Sequence, residues 1–289
     1  MIRFLKHAMA GAAICAALAV ASSQTSLAAG GPAIKIERQD WTFGGMFGYY
    51  DQLQLQRGFK VYQSVCAACH GMNLMFYRNL GQPGGPEFPE AVVRQIAAEA
   101  TVRDGPNDEG EMFERPGIPS DRFVWAFRNE KEAAAANNGV MPPDLSVIAK
   151  ARTIESDAAW YMFPFEMLRD IFTQYQEAGP DYIYALLTSY ADEPPAGFEL
   201  APGTAYNAVY PGNQIAMANP LADGLVEYGD GTPETVQQYA KDVTAFLAWA
   251  AEPHLEERKK MGLRVILYLT ILTLLLYLSK RALWRNVEH

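Results

Sequence analysis

The chain has 289 residues, of which 49% are hydrophobic and 20% charged, a balance that excludes a disordered tail, a collagen or a coiled coil. Its 24 basic and 33 acidic side chains give a net charge of −9, which argues against a nucleic-acid partner because phosphate binding needs a basic face. With 23 Gly and 18 Pro but no repeat, long loops between helices are expected.

At the N-terminus, Arg3 and Lys6 precede an uncharged run from Ala8 to Ala21, followed by Ser26, Leu27 and Ala28. A basic start, an apolar middle and an A-x-A-like end make a secretory signal cleaved near Ala28, which removes Cys15. Next, Asp51 is placed to cap a helix in which Leu55, Phe59, Tyr62 and Cys66 recur at helical spacing. Residues 66–70 then read Cys-Ala-Ala-Cys-His, the spacing that attaches haem c. Two thiols one helical turn apart can add to two vinyl groups of one porphyrin, and the adjacent imidazole reaches the iron from the same side. Cys66 and Cys69 are the only cysteines left once the signal is removed. A redox C-x-x-C has no need of His70 and expects a βαβ context. A zinc half-site fails on ligand count, because the mature chain offers only His254 and His289 besides His70.

Further along, helical patterns cover Pro89 to Thr101, Ser120 to Ala134, Asp157 to Gln176 and Asp181 to Ser189, separated by Pro/Gly loops. A stronger one starts at Thr232 and Pro233, runs through Val236, Ala240, Val243, Leu247 and Ala250, and stops before Pro253. It is able to pack across the helix that carries the cysteines. No stretch alternates as a strand does, so the fold class is mainly α. From Met261 to Ser279 the only charge is Arg264, and at about 1.5 Å per residue this run nearly matches a ~30 Å hydrocarbon core. Basic residues flank both of its ends, so the signal sets the orientation, with the body exported and the tail from Lys280 inside.

Iron held by His70 alone leaves a position open for a small ligand; a second protein ligand closes it and makes an electron carrier. His254 sits just before the apolar run and is a poor candidate, which leaves methionine. Met46, Met72, Met75, Met112, Met141, Met162, Met167, Met217 and Met261 are available. Met141, before Pro142 and Pro143, and Met217, in Ile215-Ala-Met-Ala-Asn-Pro220, stand out because each lies in a proline-interrupted loop that can aim a sulfur.

Several segments together resemble one family. They are Trp41-Thr-Phe-Gly-Gly-Met-Phe-Gly48, Gln54-Leu-Gln-Arg-Gly-Phe-Lys-Val-Tyr62, Cys66-Ala-Ala-Cys-His-Gly71, Pro142-Pro-Asp-Leu-Ser146 with Arg152, Glu227-Tyr-Gly-Asp-Gly-Thr-Pro233 and Ala250-Ala-Glu-Pro253. In order and over nearly the whole mature chain, they resemble the cytochrome c1 family, the haem c subunits of cytochrome bc1 complexes. The resemblance implies a cytochrome c-like haem domain with long loop insertions, plus one C-terminal transmembrane helix beside cytochrome b. It implies Cys66 and Cys69 as thioether anchors of one haem c, His70 and Met217 as iron ligands, Arg152 as the partner of a haem propionate, and Pro143 as part of the proline stretch packed at the haem. It also implies an electron accepted from the Rieske iron-sulfur protein and passed to a c-type cytochrome, without bond-making chemistry in this chain. Readings from other classes are a haem enzyme or gas sensor with open iron, and a c-type subunit of a terminal oxidase.

The expected organisation is a signal peptide over 1–28, a periplasmic haem domain over 29–253, a linker over 254–260, a transmembrane anchor over 261–279 in a bacterial inner membrane, and a cytoplasmic tail over 280–289. Residues 155–178, rich in Trp160, Phe163, Phe165 and Phe172, fit the family pattern least; an amphipathic surface helix packed on the body is expected there, with no function assigned. Finally, Asp170 to Ala240 holds ten carboxylates and no Lys or Arg, and a field of one sign around a haem edge steers a basic cytochrome as acceptor.

Overall fold

The computed structural model describes residues 36–154, 159–173 and 175–285; the expected signal segment lies outside them. Among the described residues the architecture is mainly helical, in agreement with the expected class, and its centre is the crossing of two helices. Helix α1 (Gln52–Ser64) begins where Asp51 was placed to cap it, with the Asp51 carboxylate accepting from the Gln54 amide at 3.0 Å. Leu55, Phe59, Val61 and Tyr62 point its buried face inward. Later in the chain, α7 (Val236–Ala251) is buried from Tyr239 to Trp249 except at Lys241, as expected of a helix apolar on nearly all sides. The two cross at Gly58, where a Cβ would overlap the Asp242 carbonyl oxygen and lie 2.7 Å from Phe246 Cβ. Only hydrogen fits there. Phe59 then sits among Phe88, Phe123 and Phe246, with ring centroids 5.6 to 6.0 Å apart.

This apolar crossing encloses one charge. Asp242 is fully buried and accepts from Arg57 Nε at 2.9 Å, Gln54 Nε2 at 3.1 Å and Gln238 Nε2 at 2.9 Å. Three donors satisfy the carboxylate, which is the condition for keeping a buried ion without a large penalty.

The other helices of the head are α2 (Glu90–Glu99), α3 (Glu130–Ala136), the short α4 (Ile148–Ala151), α5 (Phe163–Thr173) and α6 (Ala178–Thr188), of which α4 and α6 pack on α7. Two small antiparallel ladders also occur: β1 (Thr101–Asp104) pairs with β2 (Phe113–Pro116), Thr101 opposite Pro116, and β3 (Ala205–Tyr206) pairs with β4 (Gln214–Ile215). With four and two residues per strand, they are too short to show the alternation that would have announced them.

Three boundaries differ from the sequence reading. Cys66 does not continue α1, because a 3₁₀ turn over Cys66–Ala68 replaces it. Helix α7 starts after Thr235 rather than at Thr232, because residues 230–234 are committed to a loop. There the Asp230 carboxylate takes the Thr232 amide at 2.9 Å and the Glu234 carboxylate takes the Tyr228 amide at 2.8 Å. Of Ser120 to Ala134, only the part from Glu130 is helical; Phe123 N instead donates to the Met75 carbonyl at 3.0 Å and Tyr77 N to that of Asp121 at 3.1 Å, tying this segment to the loop after the cysteines.

A larger difference concerns α5. It was expected to pack on the body, yet none of its residues is buried. Helix α8 (Leu255–Trp284) runs for 30 residues, about 45 Å at 1.5 Å per residue, and its most apolar window is wholly exposed. Residues 254–260, expected as a linker, are helical from Leu255 on. Leu255 is buried in the head, Glu256 accepts from the Tyr50 amide at 3.0 Å, and Lys259 Nζ donates to the Phe43 carbonyl at 2.6 Å.

Candidate haem site

The C-x-x-C-H segment leaves α1 through the 3₁₀ turn, in which the amides of Cys69 and His70 both donate to the Cys66 carbonyl, at 3.1 and 2.8 Å. Cys66 and Cys69 are partly buried and not joined to each other. Burial, with the Cys69 charge adding, pushes the Cys66 thiol up to about 12. That is opposite to the lowered thiol of a redox C-x-x-C.

His70 is oriented from outside its own segment. Its Nδ1 lies 2.8 Å from the Pro143 carbonyl oxygen. A neutral imidazole bonded this way carries its proton on Nδ1 and keeps Nε2 as the free ligand atom. Burial lowers the His70 pKa, against the opposing effects of that carbonyl and of Asp144, so the neutral form needed for ligation is favoured. Pro143 therefore acts on the site through its backbone oxygen; the ring itself is exposed and Pro142 is the buried one.

The loop that delivers this carbonyl is stitched to the loop after His70. Leu145 N donates to the Gly71 carbonyl at 2.8 Å, Asn73 N to Asp144 Oδ2 at 2.7 Å and Leu74 N to Ser146 Oγ at 3.0 Å. Asp144 Oδ1 also takes the Ser146 amide at 2.8 Å, an Asx turn that shapes the loop. Trp125 covers the junction: its Nε1 donates to the Cys69 carbonyl at 3.0 Å, and a Cβ at Gly71 would lie 3.2 Å from its ring. Sequence reasoning assigned no role to Asp144, Ser146 or Trp125, although the Asp-x-Ser spacing in Pro142-Pro-Asp-Leu-Ser146 is itself a turn signal.

The nine methionines sort by environment. Met72 and Met75 are core residues at 0% and 5% exposure, whereas Met46, Met112, Met141, Met162, Met167 and Met261 all lie at 40% or above. Only Met217 is intermediate. It follows β4 by two residues, and its carbonyl accepts from the Tyr190 hydroxyl at 3.1 Å. Tyr190 itself bridges to Asn207, whose buried amide donates to the Leu186 carbonyl at 2.8 Å, so the β3–β4 hairpin is pinned to the end of α6. Neither Tyr190 nor Asn207 was singled out in the sequence. Arg152 is not gathered to these residues; it is exposed just beyond α4, with Nη1 donating to the Ala151 carbonyl at 3.1 Å.

Among the described residues, a helical head with two free thiols and a carbonyl-oriented imidazole on one turn, carried on one long apolar helix, has the parts of a haem protein of the cytochrome c class. The model of the cytochrome C1 family matches residues 41–287, and the chain belongs to that family. A cytochrome c1 from Blastochloris viridis is 49% identical over 252 residues, 86% of each chain. A mitochondrial relative from Solanum tuberosum, described as cytochrome c1-2, heme protein, is 45% identical over 244 residues, 84% of this chain and 83% of that one. A longer protein from Bradyrhizobium diazoefficiens, cytochrome b/c1, is 48% identical over 246 residues; these cover 85% of this chain and 35% of the relative, so the chain spans about a third of that protein's length.

Proposed function

We propose that this chain is the electron-transfer haem subunit of a cytochrome bc1 complex, a quinol–cytochrome c oxidoreductase. The observation that carries the reading is the Pro143 carbonyl at 2.8 Å from His70 Nδ1, which leaves the other ring nitrogen unprotonated and available to an iron beside two unpaired thiols. The residues present fit a covalent haem c, and when bound the group supplies a one-electron iron centre. Cys66 and Cys69 would hold it through thioethers, and His70 would supply an iron ligand. Pro143 fixes the ring and raises its basicity through the hydrogen bond. Met217 would supply the second iron ligand, a thioether sulfur that favours the reduced metal, and Arg152, exposed just beyond α4, would have to turn toward the group to offset the charge of a propionate. Family membership weighs against the open-iron enzyme or sensor and the terminal-oxidase subunit.

In this reading the chain takes one electron from the Rieske iron-sulfur protein and passes it to a basic c-type cytochrome, and it stands beside cytochrome b. The first 28 residues export it, residues 29–253 face the periplasm, and 261–279 cross a bacterial inner membrane, leaving 280–289 in the cytoplasm. The deciding experiment compares two methionines. Met217→Leu is expected to give a low-potential form that binds carbon monoxide when reduced, and Met141→Leu a nearly native one. The opposite pattern refutes the ligand assignment.

A further inference from the structure

Helix α5 with the 3₁₀ turn before it (Trp160–Met162) carries four strongly exposed aromatic side chains: Trp160 is 87% exposed, Phe172 83%, and Phe163 and Phe165 both 64%. At 3.6 residues per turn, Phe163, Pro164, Phe165, Met167, Leu168, Ile171 and Phe172 cover about 200° of the circumference, while Glu166, Arg169, Asp170 and Thr173 share the remainder. The polar side is the tethered one. Asp170 pairs with Arg38 at 3.3 Å, whose guanidinium lies 3.6 Å over the Tyr175 ring, and Tyr175 donates to the buried Asp181 at 2.6 Å. Apolar patches of this kind mark a protein or membrane contact, and the tethers indicate which.

Gln176 accepts from Arg258 Nη2 at 3.0 Å. Arg258 stands three residues, about 4.5 Å along the helix, before Met261, where the exposed apolar run of α8 begins. Three residues of chain separate Thr173 from Gln176, at most ~11 Å. So Gln176, three residues past the end of α5, is tied to α8 one turn before its exposed apolar run. A second exposed apolar group has the same address: Met46, Phe47 and Tyr49, with Phe47 at 78%, lie between Phe43, which binds Lys259, and Tyr50, which binds Glu256. Each group is thus tied, through a residue near it in the chain, to the turn of α8 that precedes its exposed apolar run.

We infer that α5 is a second membrane contact, lying flat in the lipid interface beside the anchor with its aromatic face about 5–10 Å into the headgroup and acyl boundary. Its single Arg against Glu166 and Asp170 gives no attraction for anionic headgroups, so neutral phosphatidylcholine suffices as partner. The inference rests on the reading of α8 as a membrane anchor.

The test uses the full haem-bearing chain in phosphatidylcholine nanodiscs, with an environment-sensitive fluorophore on Phe165→Cys or Phe172→Cys. Controls are Leu272→Cys inside α8 and Glu109→Cys in the β1–β2 turn, and lipids carry a spin-label quencher near the headgroup or deep in the chain. The expected result is loss of fluorescence at 165 and 172 chiefly with the shallow quencher, loss at 272 with the deep one, and none at 109. If 165 and 172 behave like 109 while 272 is quenched, the inference is overturned and the anchor stands. If 272 is itself unquenched, the anchor reading fails and takes the inference with it. A photo-crosslinker at 165 that captures another subunit in the assembled complex, without lipid quenching there, also overturns it.

Discussion

Tyr190→Phe isolates the hydrogen bond to the loop of Met217, the proposed second iron ligand. The ring is kept, so packing against the end of α6 is unchanged, and what is removed is one neutral bond of 3.1 Å to the Met217 carbonyl. Such a bond contributes about 1 kcal/mol net, equivalent to a factor of about 5 in the equilibrium between closed and open loop. With Met217 as the distal ligand, cyanide binds the oxidised haem only after this loop opens, and its apparent affinity scales with the open fraction. The variant should therefore bind cyanide about 5-fold more tightly in a spectrophotometric titration, while its closed-form spectrum remains native. Tyr184→Phe serves as control, since among the described residues the Tyr184 hydroxyl makes no bond to that loop. Equal affinity in Tyr190→Phe and native protein, or an equal gain in Tyr184→Phe, would refute the reasoning.

Gly58→Ala gains up to about 1 kcal/mol in helix propensity but forces α1 and α7 apart, at about 1–3 kcal/mol or more. A net loss of roughly 1–2 kcal/mol is expected in urea unfolding followed by circular dichroism, and a variant as stable as the native head contradicts the close crossing. Truncation before Met261 should leave a folded head with its haem spectrum, released from membranes by alkaline carbonate. Truncation before Leu255 should unfold at lower urea, because Leu255, Glu256, Arg258 and Lys259 are lost with it; indistinguishable unfolding curves rule that out. Electron transfer to a basic cytochrome should slow with ionic strength, since steering raises on-rates about 10-fold to 1000-fold at low salt and is screened beyond ~8 Å at physiological salt. The acids to reverse are Asp192, Glu193 and Glu199, exposed close to Tyr190 in the chain. Asp223 and Asp230 do structural work: the first takes the Val236 amide at 2.7 Å and the second pairs with Arg57 at 3.3 Å. A second-order rate flat across the salt range, in native and reversed proteins alike, leaves the acids as a solubility device.

What could be read from the sequence was what depends on neighbours in the chain. Asp51 caps α1 because its partner is three residues away, and the crossing partner α7 announces itself by an apolar pattern too dense for a surface helix. Errors arose where distant groups decide. Thr235 rather than Thr232 starts α7 because Asp223, Asp230 and Glu234 claim the amides around it. Residues 120–129 leave the helical state because the loop at Met75 offers hydrogen bonds. At the site, the side-chain types of the cysteines and His70 carry their own chemistry, whereas the orienting atom is a backbone oxygen 73 residues away. No residue type encodes that oxygen. Helix α5 failed differently: its amphipathic pattern was read correctly, but a pattern does not say whether the apolar side meets protein or something else.

Because α8 is continuous from Leu255, whose side chain belongs to the core of the head, to Trp284, a change in the inclination of its apolar run in a bilayer would carry to the head without an intervening loop. Over a rod of about 45 Å, a change of about 10° in inclination displaces one end relative to the other by roughly 8 Å. Spanning helices adjust inclination to bilayer thickness, so the lipid environment would set the height and aim of the haem-bearing end. A chain tethered by a supple segment would feel nothing of that adjustment. With α8 as the anchor, a thicker or thinner membrane would become a change in distance to any partner that does not move with the head.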